Sequence, residues 1–529
     1  MPLPQRRFSR VSTQSTTMQT FSNQVHYRML QMAHMGQPSI EIQLDDSAYA
    51  TRGSYVTSYS TMDTIEGTVT ITTQHDTPFE DVQIAFTGTA HVYVERLTTS
   101  PTMSGRTEAS HRFLTLKQPI DGSDLPTPRV LVAGKKYTFP FYFTVPAQLL
   151  PRACPHTVAS DYVRETHLML PPSLGDAELS GFGGSLLDDM SPEMAKIVYA
   201  IKVRVLQLHE GEERISVLAE KARKVRVKPA FEEQPPLNMD GNPEYKQRCE
   251  KAVRKGLFKG KLGTLIAQSR QPKAMVIPGA RTDSNAPPST RARVLLRFDP
   301  ADENSVPPCL GSLKTSIKVS TYYASTARKS HPNRYSIGYD ASQGIFSETI
   351  PISNMCIASA QWEKRIASEN PSLTEPERRD SGMSSLSTTS NTTFNTGIPL
   401  ASKDYKGGDF YTASILVPIT KTSNKNLIPT FHSCLISRTY SLNMSLSAQA
   451  PGVSDPTLSL KIPLQICAEG SVTGNENARA RSAEAVVLED VGRIFTPRSV
   501  APPSMDAPPE YVPFPSHVGR HHARVTAVG

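Results

Sequence analysis

Few residues in this sequence have the types and spacing that chemistry requires. His432 and Cys434 alternate along a predicted strand, and a thiol beside an imidazole forms a nucleophilic pair only when a third group orients the imidazole. The sequence identifies no such group, so packing of both residues within a strand is favoured. His521 and His522 are an isolated pair, which is too few ligands for a metal. We therefore predict no catalytic residue, no cofactor and no metal site.

The segment Pro508-Pro509-Glu510-Tyr511 is a PPxY motif and has the chemistry of a peptide ligand. Two adjacent prolines favour a polyproline II turn, which fits between the aromatic rings of a WW domain with little loss of conformational entropy. The tyrosine side chain then reaches a second pocket of that domain. Pro508, Pro509 and Tyr511 are therefore the predicted WW-domain contacts.

A strongly basic stretch runs from residue 246 to residue 261. It holds seven Lys or Arg residues and one acid, Glu250. A charge of this kind attracts anionic lipid headgroups at about 1 kcal/mol per basic residue, but it is equally typical of a solvated linker. No aromatic residues alternate with the basic ones, so nucleic-acid binding is not predicted. The lysines are candidates for an anionic-surface contact or for ubiquitin acceptors, and they are Lys246, Lys251, Lys255, Lys259 and Lys261.

Two serines follow paired arginines in polar segments. Ser9 follows Arg6 and Arg7, and Ser381 follows Arg378 and Arg379, each at a distance of two residues from the pair. A basophilic kinase accepts such serines, and the resulting phosphate docks on arginine clusters of the 14-3-3 type. Ser9 and Ser381 are therefore candidate phosphorylation sites, although short strings of this kind are also common without regulation.

The composition excludes several protein classes. The chain has 529 residues and a net charge of +8, and no apolar run approaches the ~18 to 20 residues of a membrane-spanning helix. Its six cysteines form no CxxC pair, and we recognise no secretory signal peptide, which fits a reducing intracellular compartment. We expect a cytoplasmic protein that is soluble or peripheral to the plasma membrane or endosomes.

Alternation of apolar and polar residues predicts that strands position these motifs. The strongest series gives one sheet face five large apolar side chains, with Pro140 and Pro146 indicating an edge strand or a bulge. These side chains are Tyr137, Phe139, Phe141, Phe143 and Val145. A second series follows from Ile197 to Val205. No long amphipathic helix intervenes, so the predicted class is all-β, with antiparallel strands in a sandwich.

The alternation stops and restarts along the chain, which indicates two sandwiches and several polar segments. We predict an N-terminal sandwich at 39–230, a basic linker at 231–256 with a short helix, and a second sandwich at 257–470. A serine- and threonine-rich insertion at about 366–403 is too polar to form a core. We expect this insertion, an N-terminal arm at 1–38 and a C-terminal tail at 471–529 to be disordered.

Several stretches of the two predicted sandwiches resemble the arrestins, and among them the fungal alpha-arrestins, or arrestin-related trafficking adaptors. The resemblance covers about residues 39 to 468. Its most specific part is Gly134 to Phe141, continuing to Val145-Pro146 and Leu149-Leu150-Pro151. The other stretches that carry it are Ile65 to Val69, Ile84 to Gly88, Leu262 to Leu265, Gln271 to Lys273, Pro429 to Phe431 and Ile436 to Leu442.

The resemblance implies two tandem arrestin-type, immunoglobulin-like β-sandwiches and a non-catalytic adaptor. In that family, a PPxY motif recruits a HECT-type ubiquitin ligase through its WW domains, while the sandwiches recognise a membrane transporter or receptor. Ubiquitination of this cargo then promotes its endocytosis and sorting. The alternative is an arrestin-fold coat or sorting subunit, like the small subunit of retromer, which recruits no ligase.

We predict that Tyr511→Ala abolishes binding of the full chain to isolated WW domains, because the second pocket is left empty and the proline pair alone is a weak ligand. The measurement is a pull-down with purified WW domains, and Glu510→Ala is the matched control that keeps binding. Equal capture of the wild type and Tyr511→Ala would remove the motif from the mechanism.

Overall fold

The structure is a computed structural model, and it describes the chain in eleven segments. These are residues 37–45, 58–96, 105–176, 188–208, 215–239, 241–254, 260–279, 287–370, 397–421, 425–449 and 456–495. The predicted N-terminal arm lies almost wholly outside these residues, as do the middle of the predicted insertion and the last part of the predicted tail.

The first part of the chain forms two facing sheets. One sheet has the strand order β1-β3-β8 and the other has the order β2-β10-β9-β5-β6, and a short β4-β7 pair lies beside them. The pairs are antiparallel except for β2 with β10. The strands are β1 (Ser39–Leu44), β2 (Ser58–Tyr59), β3 (Thr64–Thr72), β4 (Thr77–Pro78), β5 (Asp81–Arg96), β6 (Gly105–Lys117), β7 (Val130–Leu131), β8 (Tyr137–Thr144), β9 (Ala195–Leu208) and β10 (Ile215–Val227).

The alternating pattern explains why these strands pair as two layers. Along β8 the apolar side chains are buried and the intervening ones mostly exposed, and along β9 buried side chains alternate with mostly partly buried ones. The buried faces of the two sheets share one core, in which the rings of Phe86 and Phe143 lie 6.0 Å apart. The predicted edge position of the strand that contains Pro140 is confirmed, since β8 lies at the edge of its sheet.

The second half of the described chain repeats this architecture. One sheet has the order β11-β12-β14-β18-β17, and the other has the order β16-β15-β20, with β19 and β21 also paired to β20. Strand β13 pairs in parallel with β22. The strands are β11 (Arg248–Arg254), β12 (Lys261–Ser269), β13 (Met275–Ile277), β14 (Ser289–Pro300), β15 (Cys309–Ala324), β16 (Gln343–Cys356), β17 (Glu363–Arg365), β18 (Phe410–Thr420), β19 (Phe431–His432), β20 (Ile436–Gln449), β21 (Thr457–Leu464) and β22 (Ile466–Ala468).

Together these sheets confirm the predicted all-β class. The sheets of the second half enclose a second apolar core, to which β14 contributes Phe298 and β20 contributes Leu442. Helices are few in the described residues. They are α1 (Asp161–Leu168), α2 (Arg334–Ile337) and α3 (Val472–Phe495), with three short 3₁₀ turns at Gly122–Asp124, Pro151–Ala153 and Ala367–Glu369. Within the described part of the chain, none of them combines the length and apolar composition needed to cross a bilayer.

The predicted basic linker is wrong in one respect, because part of it is a strand and its described residues, 231–239 and 241–254, form no helix. Strand β11 pairs along its whole length with β12 and is the edge strand of a five-stranded sheet. Cys249 and Val253 point into the second core, while Lys251 and Arg254 are exposed. The basic residues therefore occupy the outer face of an edge strand, where charge also discourages pairing with another sheet.

The ends of the predicted disordered insertion are also part of the second sandwich. Arg297, which is fully buried, donates to the side chain of Asn370 at 2.7 Å and to the carbonyl of Pro399 at 3.0 Å. Asp299 pairs with Arg297 and accepts a hydrogen bond from the backbone of Ser402. A buried guanidinium must be paired, so this contact holds both ends of the insertion on the sheet. Residues 371–396 lie outside the described part.

The predicted tail differs from the structure at its start, because α3 begins at Val472. Ser471 and Thr473 both donate to the carboxylate of Asp63, the latter at 2.6 Å, and the second oxygen of Asp63 accepts from the backbone of Ser60 at 2.7 Å. The Ser471 hydroxyl also accepts from the backbone of Gly474, which caps the helix. The chain as far as Asn477 is therefore one compact unit, and Ala478–Gly529 form a separate one.

We predict that Asp63→Ala lowers the free energy of unfolding by about 1–3 kcal/mol, because it leaves a buried backbone N–H and two hydroxyls without an acceptor. The measurement is chemical denaturation of the full chain. Asp63→Asn, which keeps one acceptor oxygen, should lose less. If the two variants lose equal stability, the hydrogen bonds are not what Asp63 contributes.

Candidate functional site

Several of the predicted site residues lie outside the described chain. Pro508, Pro509 and Tyr511 follow the last described residue, and the two candidate phosphorylation sites, Ser9 and Ser381, are likewise outside. Lys255 and Lys259 lie between the described segments that end at Arg254 and begin at Gly260. These remain predictions from sequence.

The described lysines of the basic stretch do not form one free patch. Lys246 and Lys251 are exposed. Lys261 is partly covered and forms an ion pair with Asp404, with 2.5 Å between Nζ and the carboxylate. Arg248 binds Glu250 and the carbonyls of residues 400 and 401. Lys251 and Lys246 are therefore the amines best placed to meet a partner.

A cationic pocket lies where the first sandwich meets the second. Arg226 and Lys228 approach it from the end of β10, and Lys421 approaches it from the residue after β18. The cavity holds about 200 Å³, and its apolar walls include the segments 277–279 and 427–429. Among the described residues that line it, Glu469 is the single carboxylate. The pocket thus carries an excess of two positive charges.

Without a bound anion, it is energetically unfavourable to keep these buried positive charges close together. Burial, together with the smaller effect of the positive charges of Arg226 and Lys421, lowers the pKa of Lys228 to about 8. Burial also lowers the pKa of Arg226 and of Lys421. An acidic group in the pocket would neutralise the repulsion and favour the protonated lysine. The arrangement can therefore bind a carboxylate or another anion.

A cluster of cysteines and histidines lies elsewhere at the same junction. Its members come from the 3₁₀ turn and loop after β8, from α1 and from the turn between β19 and β20. Their ligand atoms all lie within 4.8 Å of one another, and we call them the Cys–His cluster: Cys154, His156, His167 and Cys434. Three of the four are buried, and His156 is half-buried.

Local structure fixes each side chain of the Cys–His cluster. The side chain of Ser160 caps α1 by accepting from Val163, which directs His167 inward. Arg164 donates to the carbonyl of Cys154 at 2.9 Å. The backbone N–H of Arg328 donates to the carbonyl of Cys434 at 2.9 Å, which ties the turn before β20 to the loop after β15 within the second sandwich.

This geometry does not favour nucleophilic chemistry at Cys434. Cys434 lies in a turn after β19 and not in a strand, so its predicted place beside His432 in one strand is wrong. Burial, with a smaller contribution from the neighbouring Cys154, raises the pKa of the Cys434 thiol to about 12. Burial lowers the pKa of His167 to about 4. A protonated thiol beside a weakly basic imidazole is a poor nucleophile.

Sequence patterns missed both sites for the same reason. Cys154 and Cys434 are 280 positions apart, and Arg226 and Lys421 are 195 apart. Motif spacing detects ligands within one short segment, so neither set presents a recognisable signature.

The comparisons with known proteins agree with the geometry of the first sandwich. Residues 51–169 match the family model of the arrestin (or S-antigen), N-terminal domain. This stretch of the chain is therefore similar to an arrestin N-terminal domain. The match covers less than a quarter of the sequence, and no curated protein matches the chain. Of the arrestin stretches recognised in the sequence, the match includes those at Ile65, Ile84 and Gly134, so the resemblance to the arrestin family is confirmed.

We predict that Lys228→Gln weakens binding of a fluorescent glutamate-rich peptide about threefold to tenfold at pH 7, since it removes one of the three cations. In the wild type the bound anion raises the pKa of Lys228. Affinity should therefore be full below about pH 8 and fall by the same threefold to tenfold as the pH rises further, because Lys228 of the free pocket loses its proton.

Fluorescence anisotropy measures both effects. Lys136→Gln, an exposed lysine outside the pocket, is the matched control that keeps the affinity and its pH dependence. A pH profile that is the same for the wild type and Lys228→Gln would rule out Lys228 as the titrating group.

Proposed function

We propose that the protein is a non-catalytic adaptor that links a membrane transporter or receptor to a WW-domain HECT-type ubiquitin ligase. The observation that carries the proposal is the presence, in one chain, of an arrestin domain and a PPxY motif beyond the sandwiches. Recruitment of the ligase promotes ubiquitination of the bound cargo, and ubiquitination promotes its endocytosis and sorting. The subtype that fits this combination is an alpha-arrestin of the fungal kind.

Such an adaptor acts by raising the effective concentration of the ligase near its cargo, and it carries out no chemical step itself. When two binding modules share one chain, the second encounter becomes intramolecular, and its effective concentration reaches the millimolar range for short connections. Here the motif begins 13 residues after Phe495, the end of α3. This is consistent with a body that binds cargo and a separate segment that binds the ligase.

The cationic pocket supports recognition of an acidic segment of the cargo. Arg226, Lys228 and Lys421 converge on a cavity of about 200 Å³, which accommodates a few carboxylate side chains of a peptide. Such a contact gives charge selectivity and accelerates encounter with an acidic partner. In this proposal the pocket binds the cargo and Tyr511 binds the ligase.

The distribution of lysines bears on where ubiquitin is attached to the adaptor itself. After Lys461 the sequence contains no lysine, so the ligase finds no acceptor beside its own motif. Lys246 and Lys251 are exposed on an edge of the second sandwich and are the proposed acceptors. The same lysines suit transient contact with an anionic membrane surface, and phosphorylation at Ser9 or Ser381 would allow control by 14-3-3 type proteins.

The site of action that follows is the cytoplasmic side of the plasma membrane or of endosomes. We predict that cells in which Tyr511→Ala replaces the wild type accumulate a defined set of transporters or receptors at their surface, because these lose ligase-dependent internalisation. Surface biotinylation with quantitative mass spectrometry measures this, and Glu510→Ala is the control. A coat or sorting subunit of the retromer type predicts the same surface proteome for both variants, and that result would overturn the adaptor proposal.

A further inference from the structure

The Cys–His cluster has the composition and spacing of a tetrahedral metal site. The Sγ atom of Cys154 lies 3.7 Å from Nδ1 of His167, and 3.8 and 3.7 Å from Nδ1 and Nε2 of His156. For zinc bonds of about 2.3 Å to sulfur and 2.0–2.1 Å to nitrogen, tetrahedral geometry separates the two ligand atoms by roughly 3.6 Å. The side chains therefore need only small adjustments to share one ion.

The partner of His156 favours the same interpretation. One ring nitrogen, Nε2, lies 3.0 Å from the carbonyl oxygen of Arg328. A carbonyl only accepts, so Nε2 carries the hydrogen and Nδ1 keeps its lone pair. Metal-binding histidines are commonly oriented by a hydrogen bond of this type, donated by the ring nitrogen that does not bind the metal.

The charged groups around the Cys–His cluster favour one class of metal ion over another. Arg328 is buried close to the cluster, and Arg164 binds the backbone of Cys154, so a hard cation without anionic ligands would be repelled. Two thiolates from Cys154 and Cys434 neutralise a divalent ion, and the thiols release their protons to solvent on binding. Sulfur and imidazole ligands in a four-coordinate set favour zinc over magnesium or calcium.

We propose that the Cys–His cluster is a structural zinc site that joins the two sandwiches. Three ligands, Cys154, His156 and His167, belong to the arrestin domain, and Cys434 comes from the second sandwich. Four protein ligands leave no open position, so the ion is structural and not catalytic. Bound zinc would fix how the two sandwiches are joined.

The test uses the full chain, purified without a histidine tag or chelator. Elemental analysis should find about one zinc per chain. Replacement by cobalt should give thiolate charge-transfer absorption in the near ultraviolet together with visible d–d bands. In competition with a chromophoric chelator, Cys154→Ser and Cys434→Ser should each weaken zinc binding by about tenfold or more.

Three controls distinguish zinc bound at the Cys–His cluster from zinc bound elsewhere and from effects of misfolding. Cys467→Ser removes a buried cysteine outside the cluster and should keep the zinc. Replacement of His521 and His522 by Gln should also keep it, which excludes a contribution from that pair. Should the cysteine variants fail to fold, His156→Gln changes the half-buried ligand and gives the same measurement in a folded chain, as checked by circular dichroism.

Chelation provides a second measurement. Removal of zinc should lower the melting temperature of the wild type and of Cys467→Ser, but not that of Cys434→Ser, because only a chain that holds the ion is stabilised by it. The proposal is overturned if wild-type protein incubated with zinc holds none. It is equally overturned if cobalt gives no thiolate band, or if mass spectrometry of unreduced protein finds Cys154 and Cys434 joined in a disulfide.

Discussion

Packing of the segment from Ile428 to Ile436 against the first sandwich is the contact on which the rest of the structure depends. By sequence this segment belongs to the second sandwich, yet its apolar side chains are buried in the core of the first. Just beyond it, the fully buried Arg438 donates to the carbonyl of Asp189 at 2.8 Å and to that of Met190 at 3.3 Å. Burial of apolar area at about 25 cal/mol per Å² favours the association, and the guanidinium must find these acceptors. The two sandwiches therefore act as one body.

This junction also explains where the polar side chains of interest lie. Two sheets that close over separate cores leave turns and strand ends between them, and such places admit residues that a strand interior excludes. The cationic pocket lies at the end of β10, and the Cys–His cluster lies in the turns after β8 and β19. Each set takes residues from both sandwiches, so any change in how the sandwiches are joined would alter both sites together.

A rigid body with a peptide motif beyond it suits an adaptor. In the proposed function, the body would supply pre-organised surface, which lowers the entropic cost of cargo binding. In the same proposal, the PPxY segment would supply the ligand for a WW domain, and its affinity would depend on three side chains and not on the fold. The hydrogen bonds of Asp63 to Ser471 and Thr473 determine where the chain leaves the body, because they hold the start of α3 on the turn before β3. Folded recognition and motif recognition are thus separated along the chain.

The sequence alone determined the all-β class, the two sandwiches, and the arrestin resemblance that the match to residues 51–169 bears out. These features are local, since alternation with period two decides which side chains of β8 or β9 face a core. Tertiary structure decided what no local pattern contains. Strand β11 looked like a linker because its buried residues, Cys249 and Val253, are few among the charges, and pairing with β12 made it a strand. The Cys–His cluster and the cationic pocket exist only because segments about 200 to 280 residues apart are brought together by packing of the two sandwiches.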